Sequence, residues 1–206
     1  MAAAPATAAT TTSALSQRPF YTCRLNLRAP NSVLIIGDSI TAGWAAATAG
    51  QFTAAGRPVC IDAQGGRKTA GAVSQLSLYK KAGLVSPQTT VVMAVGSNDT
   101  YGAKDGYMRW QVDNVERILG SKQPIIWVDV LNWTRNSGLA AQRAYGAGTW
   151  VVNLQLWQKD AQYPNLKVAR WNAMIRNSPT TYLSDLLHTN SYGNTARNDL
   201  VMRTIG

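Results

Sequence analysis

The stretch Val33-Leu34-Ile35-Ile36-Gly37-Asp38-Ser39-Ile40-Thr41-Ala42-Gly43 decides the reading of this chain. Its first four residues are apolar and three are β-branched, which predicts a strand over 33–36 that is buried on both faces. Small and polar residues follow at once, so the strand ends in a tight turn that carries a serine hydroxyl. Four similar runs recur at 59–63, 91–95, 125–130 and 166–169. The segments between and after them predict helices over 44–55, 69–84, 105–119, about 149–162 and 194–204, several of them stopped by Gly or Pro. Continuous apolar strands alternating with helices predict a parallel sheet covered on both sides. The expectation is one three-layer α/β domain over 18–206, with ligands beyond the carboxyl ends of its strands.

Composition agrees with a single folded unit. Of 206 residues, 46% are hydrophobic and 15% charged, which excludes a disordered or collagen-like chain. Residues 1–17 carry no charge and eleven are Ala or Thr, a composition that predicts a disordered tail, either of the kind left when an export signal is removed or an ordinary ragged terminus. No run reaches the ~18 consecutive apolar residues of a membrane span. The 13 Arg and 7 Lys outweigh 9 Asp and one Glu, a net charge of +10. That excess favours an anionic partner such as a cell-surface polymer. The basic residues are spread out, with no run longer than Arg67-Lys68 or Lys80-Lys81, so nucleic acid is not expected. Cys23 and Cys60 allow either one disulfide or two buried thiols. Together these features suggest a secreted, periplasmic or cell-envelope protein.

The chemistry gathers at strand ends. The third strand stops at Gly96-Ser97-Asn98-Asp99, the second at Gly65-Gly66, and a distant Asp185-Leu186-Leu187-His188 sets a carboxylate three residues before the only histidine. Gly-Asp-Ser alone is a common turn, and a lone histidine is more often structural than catalytic. Their combination is what carries meaning. A serine hydroxyl needs a base to take its proton, and the base needs a carboxylate to fix its tautomer. Ser39, His188 and Asp185 supply these parts, with Asp99 as a rival acid. One His and scattered acids form no metal-ligand cluster, so neither metal nor cofactor is expected.

Gly37-Asp38-Ser39, a glycine after the second strand, Gly96-Ser97-Asn98-Asp99 and Asp185-x-x-His188 resemble, in order and spacing, the four motif blocks of the SGNH (GDSL-type) hydrolases over residues 33–193. Ile61-Asp62-Ala63-x-x-Gly66-Arg67, with Trp127-Val128-Asp129-Val130 and Trp171, is similar to the SGNH domains that accompany membrane acyltransferases acting on cell-surface polysaccharides. The resemblance implies a flavodoxin-like fold with a five-stranded parallel sheet. It implies Ser39 as nucleophile, His188 as base and Asp185 as its partner. The oxyanion hole would combine the backbone N–H groups of Ser39 and Gly66 with the Asn98 amide, donors each worth about 3–4 kcal/mol to a transition state. The sequence departs from the common pattern at Leu186-Leu187, where a small residue often follows the acid, and at Thr189-Asn190.

These readings imply a serine esterase that removes a short acyl group, such as acetyl, from a carbohydrate or cell-envelope glycan. An O-acyltransferase, a lipase or lysophospholipase, and a silent glycan-binding module are the alternatives. Arg67, Trp133 and Asp99 are the expected substrate contacts. The small or polar residues Thr41, Thr69, Asn98, Thr100, Tyr101, Asn132 and Thr134 are expected to rim the site. Of seven tryptophans, Trp110, Trp127, Trp150 and Trp157 are expected in the core, while Trp44, Trp133 and Trp171 follow strands near the site.

Overall fold

The computed structural model describes residues 20–21, 29–133 and 139–206. The expected tail over 1–17, together with Cys23 and Thr134, lies outside the described residues. Chain order runs β1 (Phe20–Tyr21), β2 (Val33–Gly37), α1 (Ser39–Gly43), α2 (Ala45–Ala54), β3 (Val59–Ala63), α3 (Thr69–Lys81), β4 (Thr90–Ala94) and a 3₁₀ turn (Ser97–Asp99). It continues through α4 (Tyr107–Leu119), β5 (Ile125–Val128), α5 (Leu139–Gln162), β6 (Leu166–Ala169), α6 (Trp171–Ile175), α7 (Pro179–Tyr182) and α8 (Ser191–Ile205).

The five long strands are parallel, and the sheet order is β1-β3-β2-β4-β5-β6. This is the flavodoxin-like arrangement, and the fold is the three-layer one of SGNH hydrolases. The two-residue β1, which the sequence reading did not anticipate, pairs antiparallel with β3 at the sheet edge. Strand order reverses direction between β2 and β4, and the crevice beyond the carboxyl ends at such a switch point is where open α/β sheets bind ligands.

Alternating strand residues feed two cores. Leu34, Ile36, Val91, Met93, Ile125 and Trp127 pack with Val73, Leu76, Val112, Val115, Val152 and Leu156 from α3, α4 and α5. Val33, Ile35, Ile61, Val92 and Ile126 pack on the other face with Phe52 of α2, Ile175 of α6 and Val201 of α8. Each fully buried aliphatic or aromatic side chain contributes about 1.5–3 kcal/mol. Trp127 is wholly buried and its Nε1 donates to the Val95 carbonyl at 3.1 Å, so the indole leaves no unpaired donor in the core.

Helix α5 begins ten residues earlier than expected. Gly148 lets it start there: a Cβ at that position would lie 1.6 Å from the Thr100 carbonyl oxygen, so this turn packs against the loop after β4 with no side chain between. Two of the expected core tryptophans are exposed, Trp110 at 56% and Trp150 at 57%. Both lie on outward helix faces, which apolar composition alone does not distinguish from inward ones. Cys60 is buried and disulfide-bonded.

Candidate active site

Asp38 starts the site. It caps α1, its Oδ1 accepting from the Ile40 N–H at 3.0 Å, as short polar residues do at helix starts. Its Oδ2 accepts from the Ser97 hydroxyl, which binds the turn after β2 to the turn after β4. Burial pushes the Asp38 carboxyl above its ordinary range, against the opposing pull of Ser97, Arg197 and the Ile40 N–H. With Asp38 fixed, Ser39 is the first residue of α1 at the switch point. Gly37 makes room: a Cβ there would fall 2.4 Å from that of Thr41.

Ser39 Oγ lies 3.0 Å from His188 Nε2, and His188 Nδ1 lies 2.8 Å from Asp185 Oδ2. The carboxylate requires a proton on Nδ1, which leaves Nε2 free to accept from the serine. Asp185 is itself held, because its Oδ1 accepts from the backbone N–H groups of His188 at 2.7 Å and Leu187 at 3.1 Å. Burial opposes the charge of Asp185, yet these hydrogen bonds and the imidazole hold its carboxyl at about 2. The same hydrogen bond, against partial burial, raises the His188 pKa above its ordinary value, with the charges of Asp185 and Asp38 adding to it. The loop between them needs Leu186 at φ +66°, a left-handed conformation uncommon for a residue with a side chain. This is where the sequence departs from the small residue that often follows the acid in SGNH hydrolases.

The other strand ends converge here. Gln64-Gly65-Gly66-Arg67 forms a turn closed by the Arg67 N–H on the Gln64 carbonyl at 3.3 Å, with Gly66 at φ +72°. Positive φ at that third position is the requirement a type II turn places on glycine. Asn98, in the 3₁₀ turn after β4, donates from Nδ2 to the Arg67 carbonyl at 3.1 Å, leaving its second amide proton available.

Two expected substrate contacts need correction. Arg67 is 8% exposed and its guanidinium is engaged by Asp62 at 2.7 Å, by the Asp62 carbonyl at 2.8 Å and by the Gly37 carbonyl at 3.3 Å. Asp99 is also buried, its Oδ2 accepting from the Thr69 N–H and hydroxyl at 2.9 and 2.7 Å. Neither side chain is free to grip a substrate, because Arg67 satisfies buried acceptors and Asp99 buried donors whose desolvation would otherwise be unfavourable. Thr41, Thr69, Thr100 and Asn132 are buried as well, so of the expected rim residues Asn98 and Tyr101 are the accessible ones among the described residues. Asn132 Nδ2 instead donates to the Ser97 carbonyl and the Thr100 hydroxyl.

Trp133 fares differently. It is 39% exposed, and its backbone N–H donates to the Leu186 carbonyl at 3.2 Å, beside the His188 loop. Its indole neighbours Gly146 of α5, and the adjacent Tyr145 ring lies 5.3 Å from that of Tyr101, which is 67% exposed. The sequence reading missed three anchors, Asp38 among them. Trp44 Nε1 donates to the Thr189 carbonyl at 2.9 Å, pinning the histidine loop beside α1. Arg197 is buried under α1, with Nη1 3.4 Å from the Thr41 hydroxyl. Only the Asp38 role had a local signal, that of a helix N-cap.

No protein-family model matches the chain, and no curated protein matches its sequence. Solved structures do match. The C-terminal catalytic domain of peptidoglycan O-acetyltransferase A (OatA) from Streptococcus pneumoniae is similar with a TM-score of 0.67 and 19% identity, over 85% of this chain and 93% of that one. A member of the lipolytic protein G-D-S-L family from Veillonella parvula has a TM-score of 0.68 at 15% identity, over 84% and 96%. A lipase/acylhydrolase from Enterococcus faecalis has a TM-score of 0.65 at 20% identity, over 85% and 95%. At these identities the likeness is one of fold.

Proposed function

On this SGNH hydrolase fold, we propose that the protein is a serine acyl hydrolase acting on short acyl esters of a carbohydrate or cell-envelope glycan. The observation that carries the reading is the unbroken line Ser39 Oγ, His188 Nε2 and Nδ1, Asp185 Oδ2, with links of 3.0 and 2.8 Å, at the switch point of the sheet. Ser39 attacks the ester carbonyl, forming the Oγ–C bond as its proton passes to His188 Nε2. The oxyanion takes hydrogen bonds from the N–H groups of Ser39 and Gly66 and from Asn98 Nδ2, whose geometry is set before charge develops. As the tetrahedral species collapses, the alcohol leaves with the proton from Nε2, and the acyl group stays on Ser39. Water then gives a proton to Nε2 and attacks, releasing the acid and restoring the serine. A sugar hydroxyl in place of that water makes the same site an O-acyltransferase, a variant that the likeness to an O-acetyltransferase domain favours.

Two features support a glycan rather than a lipid. The accessible aromatics Trp133 and Tyr101 offer ring faces beside the site on which a sugar can stack. The net charge of +10 raises the local concentration of an anionic polymer in a salt-sensitive way. Action on such a polymer fits a secreted or envelope location, and among the described residues no helix is long and apolar enough to cross a membrane. The test compares kcat/KM for aryl esters from acetyl to dodecanoyl, and acetate release from an acetylated cell-wall polysaccharide at low and high salt. A maximum at acetyl to butyryl is expected, with glycan deacetylation that weakens with salt. A rate that climbs with chain length, together with no acetate from the glycan, contradicts the proposal.

A further inference from the structure

Three oxyanion donors on three different turns must stay in register to within a fraction of an ångström, and one buried residue, through its side chain and its main chain together, touches all three turns. Arg67 Nη1 donates to the carbonyl of Gly37, two residues before Ser39, at 3.3 Å. The same nitrogen donates to the Asp62 carbonyl at 2.8 Å, at the end of β3. Its Nη2 forms a 2.7 Å ion pair with Asp62 Oδ1, in which the two side chains are 6% and 0% exposed. Asp62 Oδ2 is occupied in turn by the Tyr79 hydroxyl at 2.9 Å. On the main-chain side, Arg67 N–H closes the turn that holds Gly66, and Arg67 carbonyl receives Asn98 Nδ2 at 3.1 Å.

We propose that Arg67, oriented by Asp62, is the positioning residue that locks the Ser39, Gly66 and Asn98 donors into one oxyanion site. It touches no substrate and acts through the turns that it joins. A rigid planar fork is what the position requires, since two nitrogens must satisfy three acceptors at once. A lysine at 67 keeps the charge but gathers its three N–H donors on one nitrogen, so it cannot span the positions that Nη1 and Nη2 occupy between the Gly37 carbonyl and the Asp62 carboxylate.

The inference rests on the acyl-transfer reading, and the experiment separates the two. Aryl acetate kinetics are measured for wild type, for Arg67→Lys, and for the paired change Asp62→Leu with Arg67→Met, which replaces the ion pair by apolar bulk of a kind proteins often tolerate. Folding of each is checked by circular dichroism, and the Gly66 and Asn98 amide resonances are followed by ¹⁵N NMR. Both variants are expected to fold and to lose roughly 10- to 100-fold in kcat, a partial form of the 10²–10³ lost with a whole oxyanion donor. KM and the pH midpoint set by His188 should hardly move, and the Gly66 and Asn98 amides should shift. A folded variant with kcat within about twofold of wild type, or a loss confined to KM, overturns the proposal. If wild type itself turns over no ester, the hydrolase reading fails. The NMR comparison then decides the clamp alone: shifted amides support it and an unchanged spectrum overturns it.

Discussion

His188 holds a serine on one ring nitrogen and an aspartate on the other, and its titration reports on both. A general base works only when neutral, so kcat/KM should rise with pH through the His188 midpoint, which Asp185 lifts above the ordinary imidazole value. Asp185→Asn removes that lift, and the acidic limb of the profile should move to lower pH while the maximum rate falls. His188→Ala should cost more, 10²-fold or beyond, because the proton acceptor itself is lost. An unmoved limb in Asp185→Asn, with Asp99→Asn as damaging as His188→Ala, would exchange the acid roles. Ser39, His188 and Asp185, to which the proposal gives this chemistry, were legible as candidates in the sequence because catalysis restricts residue types and their places at strand ends. Arg67 and Asp99 misled for a related reason: a charged residue next to a motif reads as a substrate contact, and only coordinates reveal that Asp62 and Thr69 already engage them. Trp44 and Thr189 are 145 positions apart, and nothing local marks a hydrogen bond of that kind.

Strands and helices were legible where a period repeats, and the misses fall where backbone packing overrides it. The long apolar strands were recognisable at their centres. The two residues of β1 are too few to show a pattern. Helix α5 is expected only from about 149, where apolar residues recur at helical spacing, and Gly146 and Gly148 weaken helix propensity just before it, while in the structure Gly148 is required by its contact with Thr100. Gly148→Ala therefore tests the packing directly. A methyl group 1.6 Å from the Thr100 carbonyl must push the helix and loop apart, at a cost of about 3 kcal/mol or more, the upper end of overpacking penalties. Thermal unfolding of the variant should register that loss, and a Tm within a degree of wild type would contradict the fit. In β3, Cys60 is disulfide-bonded, and Cys23 is the expected partner. A bridge closing about 37 residues stabilises by about 4 kcal/mol in the chain-entropy model. Reduction should lower Tm by several degrees, and peptide mapping should recover Cys23 linked to Cys60. Two freely alkylated thiols in the oxidised protein would dismiss the bridge.

At the scale of the molecule, the sheet does one thing for function: it brings the ends of β2, β3 and β4 and the loop before α8 to a single edge. Ser39 and His188 are 149 positions apart in the chain and 3.0 Å apart in space. The parallel order was readable from the alternation of strands and helices, whereas the closeness of the histidine loop depends on Trp44, Asn190 and the stacked Tyr182 and Tyr192 rings, 5.3 Å apart, which no periodicity encodes. On the proposed function, these parts act as one acyl-transfer unit with Ser39 as its nucleophile. The most direct measurement mixes the protein with an aryl acetate, quenches within the first turnovers and maps the peptides by mass spectrometry. One acetyl group is expected on Ser39 in the wild type, with none in His188→Ala and no turnover in Ser39→Ala. Acetyl on any other residue with Ser39 unmodified, or steady hydrolysis by Ser39→Ala, would contradict the proposed function.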